Sequence, residues 1–289
     1  SAPYSIDSVF FPEVDDELSR RIKATQNECL LQKGDQYNLA ILKKERERIS
    51  KEMHNLGFYY FEPNFLIFEI DSTIGNRKVS VYLKIKSNIK QEFLEVKELG
   101  PIYVHPNYDL RINQDSITSD TLKSNGTNYL LQDSSIRPEI VTDAVYLKEG
   151  SNYSETAHDY TVNRLIGLGV YQFVSIKYVP DSANKVLSPH IQLTPNTKKS
   201  IRLEVSGATK SNGFTGPGFQ ASFRDKNLFR GAEMLTVNLL AGYEAQLSSN
   251  SQGLNSFELG INTELNIPRF LLPFGIKTVS NRFTPFTTF

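Results

Sequence analysis

The sequence predicts an α+β fold in which one strand–helix–helix–strand–strand unit occurs twice and is followed by an all-β tail. Each copy has a Gly-x-x-Tyr segment before its second helix and a further glycine where that helix ends. The first glycines of the copies are 116 positions apart (150 − 34), and the second glycines are 112 apart (169 − 57). Such similar spacings indicate a duplication. The defining positions are Gly34, Tyr37 and Gly57 in the first copy, and Gly150, Tyr153 and Gly169 in the second.

The first copy is predicted over residues 1–88. Loose alternation predicts a strand over 4–11, and acidic residues favour a helix start near Asp15 because they stabilise a helix N-terminus; Gly34 is expected to end this helix. Apolar residues spaced by threes, fours and sevens predict an amphipathic helix over 37–56. An aromatic extended segment over 58–70 and a turn lead to a strand over 78–86. Its apolar face consists of Val79, Val81, Leu83 and Ile85.

The second copy is predicted over residues 89–198 in the same order. A short strand over 101–105 precedes a polar stretch at 109–133, which is predicted to be an inserted loop. Pro138 favours a helix start, since its missing N–H costs little in the first turn. Ser154 is expected to cap the second helix, which ends near Gly167. Strands over 170–179 and 188–194 close the unit.

The tail, residues 199–289, alternates with a period of two over segments of about nine to eleven residues, joined by turn residues. One apolar face per strand is typical of a membrane β-barrel, but a soluble antiparallel barrel or sandwich has the same period. Charged residues on the polar faces favour a wet lumen over a dry core. The pattern continues to Phe289 and the chain starts at Ser1 without methionine, so we expect a processed chain or a piece of a longer protein.

Composition narrows the class of protein further. A chain of 289 residues suits two or three domains. Its 32 basic and 32 acidic side chains cancel, which argues against a nucleic-acid partner because phosphate binding favours a basic surface. Cys29 is the only cysteine, so an internal disulfide framework and a Cys-rich zinc site are excluded. No run of 18 apolar residues occurs, so no transmembrane helix is predicted.

No catalytic constellation is recognisable. The histidines have no metal-ligand spacing, and no Gly-x-Ser-x-Gly nucleophile elbow occurs. We therefore expect no catalytic residue, no metal site, no cofactor and no enzymatic activity. The four histidines are His54, His105, His158 and His190.

Several of these segments resemble a known family. The repeated unit, with its Gly-x-x-Tyr segment and its Leu-Gly turn into the next strand, resembles the POTRA domain. Residues 142–153 and 163–174 are similar to the last POTRA domain of outer-membrane BamA and TamA proteins, and look closest to the TamL-type lipoprotein branch. Residues 216–223 and 227–233 resemble the first hairpins of that family's barrel.

The resemblance implies tandem POTRA domains in the periplasm, at 1–88 and 89–198, and the first antiparallel strands of an outer-membrane β-barrel at 199–289. It implies an assembly or translocation factor whose partners are unfolded outer-membrane protein clients, the lipid bilayer and a possible periplasmic or inner-membrane accessory protein. POTRA edge strands would bind clients by β-augmentation, and the first barrel strand would open at a seam to template client strands.

Two segments correspond to these roles. The POTRA edge maps onto Val79, Val81, Leu83 and Ile85, although an ordinary sheet strand without a partner would have the same pattern. The lateral seam maps onto Ile201, Leu203, Val205 and Gly207, although a strand permanently paired across the seam is an alternative. A glycine offers no cross-strand side chain, so Gly207 is expected to weaken pairing locally.

Three alternative functions remain open. A secretion pore for one dedicated client belongs to the same family. A scaffold whose POTRA units dock a periplasmic or inner-membrane protein would use the barrel only as an anchor. A soluble α+β enzyme is disfavoured because no catalytic group is recognisable.

Overall fold

Two strand–helix–helix–strand–strand arrangements and a set of long antiparallel strands follow one another along the chain, which confirms the predicted fold class. The computed structural model describes residues 3–13, 16–109, 120–131, 136–181, 185–211, 213–246, 255–269 and 286–289. The structure divides into two compact units, and the domain limits predicted at 88 and 198 stay a prediction. The first unit comprises Ser1–Ile102, Leu147–Asp159 and Tyr178–Pro189; the second comprises Tyr103–Tyr146, Tyr160–Lys177 and His190–Phe289.

The first arrangement has its helices where capping residues place them. The Asp16 side chain accepts a hydrogen bond from the Ser19 amide, and Asn38 accepts one from Ala40, so each begins a helix. The first helix ends well before Gly34, because a 3₁₀ turn, Thr25–Glu28, follows it. The elements are β1 (Ser5–Phe10), α1 (Glu17–Ala24), α2 (Leu39–Asn55), β2 (Leu66–Asp71) and β3 (Lys78–Ile85).

The extended segment predicted over 58–70 is shorter as a strand. Pro63 opens a 3₁₀ turn that delays β2 until Leu66, and Phe58 and Phe61 are buried in the core instead of lying on a sheet face. The core also contains Ile22, Ile49 and the apolar face of β3.

The predicted POTRA edge is wrong. The sheet order is β1-β3-β2: β3 pairs with β1 in parallel and with β2 in antiparallel fashion. Both sides of the strand that carries Val79, Val81, Leu83 and Ile85 therefore face neighbours over most of its length. Strand order depends on contacts between segments distant in sequence, and the alternation of a central strand is the same as that of an edge strand.

The second arrangement begins earlier than predicted and carries more strands. Its first strand starts at Glu98, and the polar stretch predicted to be a loop contains a β-hairpin whose turn residues Asn125 and Gly126 have φ values of 47° and 74°. Residues 110–119 lie outside the described ranges. The elements are β4 (Glu98–Leu99), β5 (Tyr103–His105), β6 (Thr121–Ser124), β7 (Thr127–Leu130), α3 (Pro138–Thr142), α4 (Glu155–Gly167), β8 (Tyr171–Pro180) and β9 (Val186–Pro195).

The hairpin widens the second sheet. Strand β7 pairs in parallel with β5, and β6 pairs with β7 in antiparallel fashion, giving the order β4-β9-β5-β7-β6 with β8 also paired to β9. As predicted, the Ser154 hydroxyl caps α4 by accepting from the Ala157 amide, at 3.3 Å.

The five remaining strands form one antiparallel sheet in sequence order. Residues 247–254 and 270–285, which include most of the predicted turn at 248–255, lie outside the described ranges. Among the described helices, none has the length and apolar character needed to cross a bilayer. The strands are β10 (Lys199–Thr209), β11 (Phe214–Asp225), β12 (Met234–Gln246), β13 (Asn255–Ile267) and β14 (Thr287–Thr288).

Candidate functional site

The duplicated Gly-x-x-Tyr segments make the same backbone contacts in both copies. In the first, the amides of Gly34 and Tyr37 donate to the carbonyls of Ile6 and Tyr4, at 2.7 and 2.8 Å. In the second, Gly150 and Tyr153 donate to Leu99 and Lys97, at 2.8 and 2.9 Å. Each motif thus fastens the loop before a helix to the start of that copy's first strand. All four motif glycines, at positions 34, 57, 150 and 169, have positive φ.

The Tyr153 ring belongs to an aromatic cluster in the first unit. Its centroid lies 4.8 Å from that of Tyr59 and 5.3 Å from that of Tyr178. Burial raises the pKa of the phenols of Tyr153 and Tyr178 above the usual value, with nearby acidic and phenolic groups adding to the effect. Gly57 is tightly surrounded, since a Cβ on it would approach Val96 Cγ1 to 2.7 Å and Asn152 Cβ to 3.2 Å. Gly57 and Tyr153 therefore organise packing.

An open edge of the first sheet lies at β2. No described strand pairs with its outer side. Leu66 is buried and Phe68 and Ile70 are half-buried, whereas Ile67 is 40% exposed. An exposed strand edge with alternate side chains turned outward is the geometry that an added strand requires. The edge that sequence analysis assigned to β3 is therefore found on β2.

Strand β10 is the first strand of the tail sheet and pairs only with β11 among the described strands. The ladder is unbroken from Lys199 opposite Asp225 to Thr209 opposite Thr215. The side chains at the predicted seam are solvent-exposed: Ile201 by 73%, Leu203 by 64% and Val205 by 79%.

Gly207 lies opposite Pro217, where neither residue strengthens the ladder. Glycine presents no side chain, and proline has no N–H to donate. The next strand also comes unusually close here: a Cβ on Gly216 would collide with the backbone carbonyl of Tyr243 on β12. At the Gly-Pro-Gly segment, residues 216–218, the backbones of β11 and β12 therefore approach each other unusually closely.

One face of the tail sheet is apolar across four strands. A row of directly opposed residues runs from Leu203 on β10 through Ala221 and Leu239 to Ile261 on β13. Because opposed residues in antiparallel strands point to the same side, the rows form one surface. On β13 it is almost fully exposed, with Leu259 at 86%. The other members are Ile201, Val205, Phe219, Phe223, Val237, Ala241, Tyr243, Phe257 and Leu265.

The opposite face is mainly polar. One row runs through Arg202, Ser222, Asn238 and Asn262, and the Ser222 hydroxyl donates to Asn238 Oδ1 at 2.7 Å. Leu240 is an apolar exception on this side. An antiparallel sheet with one mainly polar face can have that face in contact with water.

The turn between β11 and β12 holds functional candidates that sequence analysis missed. Glu233, 3% exposed, accepts a hydrogen bond from the Gly231 amide at 2.8 Å. Arg137 reaches the same turn twice: its amide donates to the carbonyl of Arg230 at 3.0 Å, and its guanidinium lies 3.7 Å from Glu233. Arg230 and Ala232 have φ values of 65° and 62°, a backbone that non-glycine residues rarely adopt. The turn thus docks onto the start of α3.

The histidines do not form a metal centre. His105 Nε2 lies 3.1 Å from His190 Nδ1 in the second unit, and His158 Nδ1 lies 3.0 Å from the Tyr178 hydroxyl in the first. His54 Nε2 is 2.6 Å from the Phe61 carbonyl. Among the described residues, no three His, Cys, Asp or Glu side chains are placed to share a cation.

No protein-family profile and no curated protein matches this sequence. Similar solved structures include BamA from Haemophilus ducreyi lacking POTRA domains 1–3 (10% identity, 92% of this chain and 48% of that one, TM-score 0.45). BamA POTRA3–5 from Haemophilus influenzae is similar over 66% of this chain and 61% of that one (10% identity, TM-score 0.41). CdiB from Acinetobacter baumannii is similar over 96% and 47% (11% identity, TM-score 0.39). The chain spans about half the length of the first and third structures.

Proposed function

We propose that this chain is part of an outer-membrane protein assembly or translocation factor of the BamA/TamA type. The two copies predicted at residues 1–88 and 89–198, as POTRA domains, receive unfolded clients in the periplasm by β-augmentation. The tail strands cross the outer membrane, and β10 templates the insertion of client strands at a lateral seam. No catalytic group takes part, because strand pairing requires only main-chain hydrogen bonds.

The observation that carries this proposal is the exposed apolar face of β10–β13, backed by a polar face. Soluble proteins rarely leave an apolar surface larger than a few hundred Å² uncovered. Here Leu203, Phe257 and Leu259 are 64%, 79% and 86% exposed on one continuous surface. Strands of 11 to 13 residues reach or exceed the roughly nine to eleven that a tilted membrane strand needs. In a membrane barrel, the apolar face would contact lipid and the polar face would contact water.

Strand β10 supports the templating step. Its outer edge presents unpaired main-chain groups among the described strands, and its inner ladder is weakened where Gly207 opposes Pro217. A client strand added at this edge would continue the apolar face with its own lipid-facing side chains. The β2 edge offers a second and separate site for client segments in the first unit.

Site-specific cross-linking tests the seam. Cysteine at Leu203 or Val205, in the functional full-length protein, should form a disulfide with a stalled outer-membrane protein that carries one cysteine in its last strand. The native Cys29 can remain, since it is 8% exposed and burial raises the pKa of its thiol to about 11. Cysteine at Leu239 is the matched control: it lies on the same face but on β12, which at this position pairs with β11 on one side and with β13 on the other.

Adducts at positions 203 and 205 but not at 239 support templating at β10. No client adduct in functional protein, or equal adducts at all three positions, contradicts it. Depletion of this protein from the cell distinguishes general assembly from the alternative functions. Loss of many outer-membrane proteins indicates general assembly, and loss of one secreted protein indicates a dedicated pore. Normal outer-membrane content with loss of an accessory complex indicates a scaffold.

A further inference from the structure

A small polar pocket of about 30 Å³ lies in the second unit, where β9 ends and β10 begins. This volume has room for about two water molecules or one small ion. None of its described lining residues is acidic, whereas two are lysines, so the pocket offers hydrogen-bond donors and positive charge. The polar lining residues are Asn107, Tyr171, Asn196, Lys198, Lys226 and Asn227.

Lys198 and Lys226 lie opposite each other at the end of the β10–β11 ladder. The Lys226 amide donates to the Lys198 carbonyl at 2.9 Å, one step beyond the pairing of Lys199 with Asp225. Like charges directly opposite each other on two strands destabilise the pairing. The adjacent carboxylate, that of Asp225, is turned to the other face of the sheet by the alternation of the strand, and it lies 3.9 Å from the Lys199 ammonium. An anion between Lys198 and Lys226 would remove the repulsion.

Tyr171 is a further polar residue of the pocket. It begins β8 and is 5% exposed, and its hydroxyl has no hydrogen-bond partner among the described residues. A buried hydroxyl without a partner is costly, and an ion or a water is a common explanation for one. Burial raises the pKa of this phenol, so the hydroxyl keeps its proton at neutral pH and can donate it to an acceptor.

Backbone hydrogen bonds hold these residues near one another. The Asn196 amide donates to the carbonyl of Val170, the residue before Tyr171, at 2.8 Å. This bond fastens the start of β8 to the short segment that carries Lys198. The bond from Lys226 to Lys198 then joins the end of β11 to the same segment. The pocket is therefore built from the ends of three strands.

We propose that this pocket binds a phosphate group between Lys198, Lys226 and Tyr171. The two ammonium groups would form charge-assisted hydrogen bonds, which are stronger than neutral ones, and the tyrosine hydroxyl would donate a third. Lys198 is exposed and Lys226 is half-buried, so the ligand can enter from solvent. A bound phosphate would tie the ends of β8, β9 and β11 together. The site requires neither strand addition nor a membrane role for the tail.

Isothermal titration calorimetry with inorganic phosphate tests the proposal on the full chain, in a neutral detergent and a phosphate-free buffer at neutral pH. Wild type should bind one phosphate saturably. Sodium chloride at the same ionic strength should give no saturable heat, because chloride lacks the several acceptor oxygens that a phosphate offers to three donors.

A second titration distinguishes a free ion from a lipid headgroup. The probe is dihexanoyl phosphatidic acid, a short-chain lipid whose headgroup is a phosphate monoester. Weaker binding of this lipid than of inorganic phosphate supports a site for the free ion, and tighter binding supports a site for the phosphate of an anionic lipid.

Three variants locate the binding. Lys198→Gln and Lys226→Gln should each weaken phosphate binding about tenfold, because each removes a charge-assisted hydrogen bond. Tyr171→Phe keeps the ring, removes the hydroxyl and should weaken binding about threefold. Lys123→Gln and Tyr243→Phe are matched controls outside the pocket and should bind normally. The absence of saturable phosphate binding, equal affinity for chloride, or unchanged affinity in any of the three pocket variants would overturn the proposal.

Discussion

The carboxylate of Glu233 accepts a hydrogen bond from the backbone amide of Gly231, two residues earlier, in a turn that excludes most water from the charge. The guanidinium groups of Arg137 and Arg269 lie 3.7 and 3.8 Å from the same carboxylate. A buried carboxylate is stable only when hydrogen bonds and opposite charges surround it. The Glu233 side chain therefore stabilises the strained backbone conformation of this turn.

Replacing that side chain should loosen the turn. Glu233→Ala leaves the Gly231 amide and two arginines without their acceptor, and we expect a loss of about 2 kcal/mol in unfolding free energy. Urea unfolding of the full chain, followed by tyrosine fluorescence, measures the change, since the sequence contains no tryptophan. Glu258→Ala, on the exposed surface of β13, is the control and should stay within about 0.5 kcal/mol of wild type. Equal effects of both variants would show that the turn does not rely on Glu233.

The motif glycines separate backbone strain from crowding. Both Gly57 and Gly150 have positive φ, but a Cβ on Gly57 would lie 2.7 Å from Val96, whereas nothing lies within 4 Å at Gly150. Gly150→Ala should cost about 1–2 kcal/mol from backbone strain alone, and Gly57→Ala at least about 1 kcal/mol more from overpacking. The difference between the two unfolding free energies measures the crowding together with the added backbone strain at Gly57, where φ is 105° compared with 78° at Gly150. Its absence would mean that the segment around Val96 moves aside freely.

Local signals predicted that the four main helices and most strands exist, because apolar spacing and capping residues lie within short stretches of sequence. Ser154 and Gly57 mark helix ends through their own side-chain or backbone chemistry. The hairpin in the polar stretch also had a local signal: Asn125-Gly126 between short alternating segments is typical of a two-residue hairpin turn. Composition suggested a loop there, and this turn signal should have outweighed it.

Non-local features could not be obtained in the same way. The alternation of Val79, Val81 and Leu83 shows that one face of β3 is buried, but it does not specify which strands flank it. Likewise, Glu233 occurs in an ordinary turn sequence, and its burial depends on Arg137, 96 positions earlier (233 − 137). The strand that carries the predicted seam was identifiable because its two-residue alternation is a local signal, but its role as a seam stays a prediction.

A histidine pair in the second unit should make stability depend on pH. Burial, and then the neighbouring His190, lowers the pKa of His105 from 6.5 to about 4. Between these values the unfolded chain binds a proton that the folded chain does not, so the folded state loses stability as the pH falls through this window. His105→Gln removes this response. We expect wild type to lose about 1 kcal/mol more than the variant between pH 8 and pH 5, since His105 is only half-buried.

Urea unfolding at both pH values measures the difference. At pH 8 the wild-type histidine is neutral in both states, so the two proteins report only the packing effect of the substitution. Parallel losses in wild type and variant would assign the acid sensitivity to other groups.

The same added charge should change the stability of the protein much more on the apolar face of the tail sheet than on the polar face. Leu259→Arg places a cation on the apolar face, and Asn262→Arg places one on the polar face of the same strand. If lipid covers the apolar face, Leu259→Arg should cost about 2–4 kcal/mol near the bilayer midplane, whereas the polar-face substitution should be nearly neutral. The urea dependence of folding of the full-length protein into phospholipid vesicles measures the free-energy change caused by each substitution. Tolerance of arginine at position 259 would mean that water contacts this face, and a large loss at position 262 would mean that the polar face packs against protein.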